Sequence, residues 1–320
     1  MKNLVVALAA AACIGPALAQ TKWDVPSGYA VNTFHVQNLQ WFADEVKKAT
    51  GGKLEMTLHP GASLFKANEI KRAVQTGQTA AGEFILSGAA NENPLFGVDA
   101  VPFLATTYDE SKRLRDAARP YLEALLAKQN MKLLYTVPWP GQSLYSSKPI
   151  STLDDLKGTK MRAYNPATTR IAELVGAQPV TIQLAELPQA LATGGVDGFF
   201  TSSASGVESK LYEQVKYFYG VSAWLPRNAV VVNTRAFNAL DKATQDALLK
   251  VAAEAGARGE RISEEKNNEY LKELQDKGMT VDRDAVKLKA ELKAVGERMT
   301  ADWLKNAGPD GKAIVDAYSK

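Results

Sequence analysis

Past its first twenty residues the chain alternates between two hydrophobic periods. Where every second position is apolar, as in K-L-E-M-T-L at 53–58, the pattern predicts a strand. Where apolar residues recur three and four apart, as at Leu39, Phe42 and Val46, it predicts a helix. On this reading strands fall at 22–29, 53–58, 80–87, 131–137, 160–164, 180–184 and 196–201. Helices fall at 39–49, 68–75, 108–129, 167–175, 185–193 and 285–304. The stretch 241–277 reads as one long helix or as two split near Gly256. Glycines at 51–52, 77, 194–195 and 278 stand where helices stop. Residues 32–38, which carry Phe34 and His35, read as a loop entering a helix, and 202–206 reads as a polar turn. The prolines of 95–103 make that stretch a loop packed by its own aromatics. Strands alternating with helices argue for βαβ units and a mostly parallel sheet.

Two features divide the chain into two lobes. Its length exceeds what one simple core organises. Pro138-Trp139-Pro140-Gly141 breaks regular structure, and 230–233 is a second candidate crossing. A helix as long as 241–277, rising about 1.5 Å per residue, reaches across both lobes.

The first residues differ in kind. Lys2, an apolar run at 4–18 and Ala17-Leu18-Ala19 have the form of an export signal cleaved after Ala19, which puts the mature protein in the periplasm. An uncleaved anchor and a lipid-modified Cys13 are the weaker alternatives. Cleavage removes the single cysteine, and with it any disulfide, catalytic thiol or cysteine metal site. Two histidines, His35 and His59, argue against a transition-metal centre, so no metal and no cofactor is expected. The net charge of +3, with basic and acidic residues interspersed, carries no nucleic-acid signature.

The richest stretch is 149–166, P-I-S-T-L-D-D-L-K-G-T-K-M-R-A-Y-N-P. Its acidic pair opens a short helix, Gly158 ends it, and K-M-R-A-Y delivers Arg162 to a loop opened by Asn165-Pro166. A guanidinium at a strand end matches a carboxylate bidentately; the same pattern also fits a structural ion pair. Trp139, Phe199, Phe200 and Trp224 are candidate ligand walls, and each is also a candidate core residue. The serines of 202–205 have no base nearby in sequence and no G-x-S-x-G elbow, which leaves an exported serine hydrolase as a minor alternative. Gly194-Gly195 leads into a strand, so it is not a phosphate loop.

An ordered set of segments then resembles the extracytoplasmic solute-binding proteins of tripartite ATP-independent periplasmic (TRAP) transporters, the DctP-like dicarboxylate-binding-protein family. It comprises S-L-F-K at 63–66, E-I-K-R-A-V-Q-T-G at 69–77, V-D-A-V-P-F at 98–103, K-P-I at 148–150, L-D-D-L-K-G at 153–158, K-M-R at 160–162, L-P-Q-A-L-A-T-G at 187–194 and V-D-G at 196–198. The resemblance implies an α/β, two-lobed periplasmic-binding-protein clamshell with mixed sheets, crossing strands and a long helix spanning both lobes. Residues 20–139 with about 233–265 would form one lobe, and 140–232 with about 266–320 the other. It further implies a binding protein without catalysis, monomeric, that captures a small organic carboxylate and delivers it to a membrane permease. A ligand-sensing role for a membrane receptor fits the same sequence. Arg162 matches the carboxylate-holding arginine, with Asn165 assisting. Trp139, Gln142, Phe199, Thr201, Ser202, Trp224, Asn228, Phe34 and His35 complete the expected ligand site. Thr201-Ser202 replaces an Asn-Pro pair common in the family, and no basic residue follows Gly141, where dicarboxylate and sialic-acid binders often have one. A second carboxylate would then be buried unpaired, so a monocarboxylate with an apolar or aromatic remainder is favoured over a C4-dicarboxylate.

Overall fold

The chain crosses twice between two sheets, in a computed structural model that describes residues 20–320. The expected export signal and its cleavage after Ala19 lie outside the described residues. The first pass builds β1 (Thr21–Pro26), α1 (Phe34–Ala49), β2 (Leu54–His59), α2 (Ile70–Gln75), β3 (Ala81–Ile85), α3 (Tyr108–Lys128) and β4 (Met131–Pro138). The second builds β5 (Ser143–Ser146), β6 (Lys160–Ala163), α4 (Pro166–Leu174), β7 (Gln178–Thr181), α5 (Leu187–Ala192), β8 (Gly198–Thr201), α6 (Ser203–Glu208) and β9 (Tyr217–Tyr219). The chain returns through β10 (Arg227–Asn233), then α7 (Thr234–Asn238), α8 (Lys242–Asp276), β11 (Thr280–Asp282) and α9 (Val286–Tyr318).

β1 and β2 pair in parallel, and a Ser27–Glu83 bridge ties β1 to β3. β10 lies between β3 and β4 and is antiparallel to both. The second sheet runs β11-β9-β5-β8-β6-β7, with β5 antiparallel to its neighbours and the pairs β6–β7, β6–β8 and β9–β11 parallel. The six-stranded sheet is therefore mixed and the β3-β10-β4 sheet antiparallel, and the mostly parallel sheet expected from strand–helix alternation is corrected. The reason is the second crossing, which returns a strand into the first sheet against the direction of its neighbours. The crossings hold each other: Trp139 N donates to Pro226 O at 2.8 Å, Gln142 N to Trp224 O at 2.8 Å and Ala223 N to Gln142 O at 2.9 Å.

β10 is buried along its whole length in the first sheet, so residues 227–232 sit with the first lobe and not the second. α9 is shared. Leu288, Leu292 and Met299 pack with Leu144, Met161 and Trp224, whereas Trp303 and Ile314 pack with Leu114, Leu133 and Val231 of the first lobe. α8 is one helix of 35 residues, unbroken at Gly256 and about 52 Å long at 1.5 Å per residue. It packs on α1 and β4 at one end and on α6 and β11 at the other. Gly259 permits the close approach to β4, since a Cβ there would stand 2.4 Å from Val137 Cγ2.

Two local expectations change. α1 begins inside the stretch read as a loop, because the Thr33 hydroxyl accepts the Val36 N–H and caps the helix. The polar turn at 202–206 is mostly helical, because Ser202 Oγ accepts the Ser205 N–H at 3.0 Å and starts α6.

Candidate functional site

A cavity of about 210 Å³ lies between the sheets, with lining residues from both lobes. β6 brings Arg162 to it. That residue stands in register between Val180 of β7 and Phe199 of β8, one residue before the strand ends. Tyr164 follows, and Asn165 then caps α4 through its side-chain oxygen on Thr168 N at 2.8 Å. Arg162 is 4% exposed. Its Nε donates to Ile182 O at 2.9 Å, and its guanidinium carbon lies 4.9 Å from the Tyr164 ring centroid. Among the described residues no carboxylate pairs with it. The contrast is Arg227, equally buried, which Glu260 grips at 2.7 and 3.1 Å. Burial lowers the Arg162 pKa to about 10, which still leaves it charged at neutral pH.

An aromatic wall faces this arginine. Trp139 stacks on His35 with centroids 3.9 Å apart, takes Phe34 edge-on at 5.5 Å and meets Tyr29 at 5.1 Å. Asn228 Oδ1 fixes the wall by accepting Trp139 Nε1 at 2.9 Å and Tyr29 OH at 3.2 Å. Burial drives the His35 pKa down to about 3, so this ring is neutral packing at any physiological pH. Gln142 Oε1 accepts Tyr164 OH at 3.3 Å, and that hydroxyl accepts Trp224 Nε1 at 3.3 Å.

Four of the eleven expected residues line the cavity: Arg162, Trp139, Gln142 and Thr201. Phe34, His35 and Asn228 stand behind the wall and orient it. Asn165 joins the lobes, donating from Nδ2 to Ser87 Oγ at 2.8 Å. Ser202 caps α6. Phe199 stacks on Tyr145 at 5.0 Å and belongs to one core, while Trp224 packs on Phe200 at 5.5 Å in another. The adjacent Phe199 and Phe200 of β8 point to opposite faces of the sheet, and each packs into a core, Phe199 with Tyr145 and Phe200 with Trp224.

The cavity also holds residues the sequence reading did not select: Tyr29, Lys71, Glu83 and Tyr164. Glu83 is 2% exposed and receives Ser27 Oγ on Oε2 at 2.6 Å; burial raises its pKa to about 6. The signal for it was one charged residue inside the otherwise apolar A-G-E-F-I of β3. Lys71 Nζ pairs with Glu92 Oε2 at 2.5 Å.

Catalytic machinery does not converge here. Ser205 borders the cavity, but His35 is buried behind Trp139 and His59 pairs with Asp24 at 2.7 Å. No cluster of metal-ligating side chains occurs among the described residues. A space lined from both lobes, with a buried guanidinium that no carboxylate among the described residues pairs, suits reversible capture of an anion, and the architecture is that of the two-domain TRAP solute receptors. The chain belongs to the bacterial extracellular solute-binding protein family 7, which it matches over residues 28–305. This is a family of receptors and not of enzymes. The chain is similar to DctP6 of Bordetella pertussis, an extracytoplasmic solute receptor binding pyroglutamic acid, at 52% identity and a TM-score of 0.92 over 93% of this chain and 99% of that one. A marine metagenome TRAP solute-binding protein specific for pyroglutamate matches at 46% identity and 0.92 over 94% and 99%. An Albidiferax ferrireducens solute-binding protein matches at 26% identity over 67% of this chain, which spans 64% of that protein's length. Among the described residues no helix is long and apolar enough to cross a membrane.

Proposed function

We propose that this protein captures a small cyclic monocarboxylate of the pyroglutamate type in the periplasm and hands it to the membrane permease of a TRAP transporter. The observation that carries the reading is Arg162, a buried and charged guanidinium that lines the cavity and has no carboxylate among the described residues to neutralise it. A ligand carboxylate meets its free Nη groups in the planar fork such a pair favours. Similar receptors that bind pyroglutamate support the ligand class. A single carboxylate fits the rest of the lining, because Lys71 is already paired with Glu92 and Arg72 is exposed at the mouth. The cavity is smaller than the roughly 300–1,000 Å³ of drug-sized sites, which points to a compact ligand.

Binding proceeds without bond chemistry. The lobes open and close about the paired crossings, and the ligand binds the closed form better because only there do Arg162 and the Trp139 wall meet it together. Closure excludes water and strengthens the ion pair. The permease recognises the closed form of a monomeric receptor, exported with its signal cleaved after Ala19. A thermal-shift screen of carboxylic acids tests the reading. At a hundredfold excess over Kd, a bound ligand adds about 2.7 kcal/mol and raises Tm by roughly 4 °C. Pyroglutamate and its ring analogues are expected to shift the melt. A shift confined to C4-dicarboxylates would overturn the monocarboxylate reading.

A further inference from the structure

We infer that Glu83 sets the specificity of the cavity: its carboxylate accepts a hydrogen bond from an N–H or O–H of the ligand and turns away a second carboxylate. The inference rests on the receptor reading above and goes on to say what the non-carboxylate end of the ligand must carry. Glu83 stands on β3 of the first lobe, across the cavity from Arg162 on β6 of the second. Ser27 Oγ donates to Oε2 at 2.6 Å, and the Asn228 side chain, whose Oδ1 is taken by Tyr29 and Trp139, is the other neighbour that favours the charged carboxylate. Glu83 is nonetheless one of the residues that line the cavity. No cation among the described residues pairs with Glu83, and the neighbouring Tyr29 hydroxyl is turned to Asn228 Oδ1 instead.

A carboxylate buried to this degree without a cation is unfavourable unless donors satisfy it. The Ser27 hydroxyl and the Asn228 amide still leave acceptor sites open on a group with about four of them. Its own pKa, raised to about 6 by burial, leaves it ionised at neutral pH and ready to accept. The cavity is therefore positive at Arg162 and negative at Glu83. A ligand with a carboxylate at one end and a donor such as a lactam N–H matches both poles. A dicarboxylate places like charges together in a closed, poorly solvated space.

Calorimetric titration of wild type and Glu83→Gln with pyroglutamate, its ring-oxygen lactone counterpart and glutarate tests the role. Wild type should bind the lactam roughly ten- to a hundredfold more tightly than the lactone, and glutarate not measurably. In Glu83→Gln the lactam preference should fall to within about threefold, and glutarate should begin to bind. The ligand series on wild type decides the matter even if the variant fails to fold. A wild type that binds lactam and lactone equally, or a folded Glu83→Gln that keeps the wild-type ratio, overturns the role of Glu83 and leaves that of Arg162 standing. A wild type that binds none of these acids overturns the receptor reading and the inference together.

Discussion

Replacing Arg162 by alanine should damage binding and spare the free protein, whereas replacing Arg227 should do the reverse. Both side chains are buried, but only Arg227 has a carboxylate partner. The fall of the Arg162 pKa from the ordinary 12.5 to about 10 corresponds to roughly 3 kcal/mol spent on keeping the cation out of water. Arg162→Ala recovers that cost. It loses the Nε bond to Ile182 O and the stacking on Tyr164, each worth about 1 kcal/mol, and some packing. The ligand-free stability should therefore stay within about 1 kcal/mol of wild type. Binding should weaken by about 2–5 kcal/mol, or roughly 30- to 5,000-fold in Kd, because a ligand carboxylate loses a buried charged partner. Arg227→Ala strands Glu260 and frees Ser111 Oγ and Thr136 Oγ1. Arg115 still reaches Glu260 Oε2 at 2.9 Å, so the loss should lie near the lower end of the range for broken buried pairs, about 3 kcal/mol. Denaturant unfolding of the two variants, with calorimetric titration of pyroglutamate, reads both effects. The reasoning is refuted if Arg162→Ala unfolds as easily as Arg227→Ala while titrating like wild type.

Other consequences concern the joints between lobes. Glu208 Oε1 accepts Phe34 N and Tyr270 OH, each at 3.0 Å, and burial raises its pKa from 4.5 to about 7. A carboxyl whose pKa rises on folding holds more protons folded than unfolded, so its contribution to stability falls as pH climbs from about 4.5 to 7. Melts between pH 4 and 8 should show Glu208→Gln gaining on wild type across that window, by on the order of 1–3 kcal/mol at pH 8; parallel curves would contradict this. Asn165→Ala removes both the α4 cap and the bond to Ser87, which should cost about 1–2 kcal/mol of stability. It should also enlarge the radius of gyration measured by small-angle scattering in the presence of ligand, and an unchanged radius would argue against Asn165 as a closing contact.

Much of this was legible before any coordinates. The absence of proline between 242 and 276 allowed a single spanning helix, and Asn165-Pro166 marked the turn that presents Arg162. What stayed hidden depended on partners distant in sequence. β5 and β9 are three or four residues long and buried on both faces, so they show no alternation to read. The core packing of Phe199 and Trp224 was equally hidden, because aromatic character does not say whether a ring meets a core or a cleft. Glu83 and Tyr29 come from the first lobe, and only the tertiary fold brings them to the same cavity as Arg162 of β6. Trp139, His35 and Asn228 were all among the expected residues, but that His35 and Asn228 hold the Trp139 ring rests on contacts distant in sequence that no local pattern encodes.

A crystal structure of the protein with pyroglutamate bound tests the central assignment most directly. The expected result is a closed cleft with both carboxylate oxygens about 2.7–2.9 Å from the Nη atoms of Arg162, and the ring against Trp139. A ligand carboxylate held elsewhere in the cavity, with Arg162 left unpaired, would contradict it.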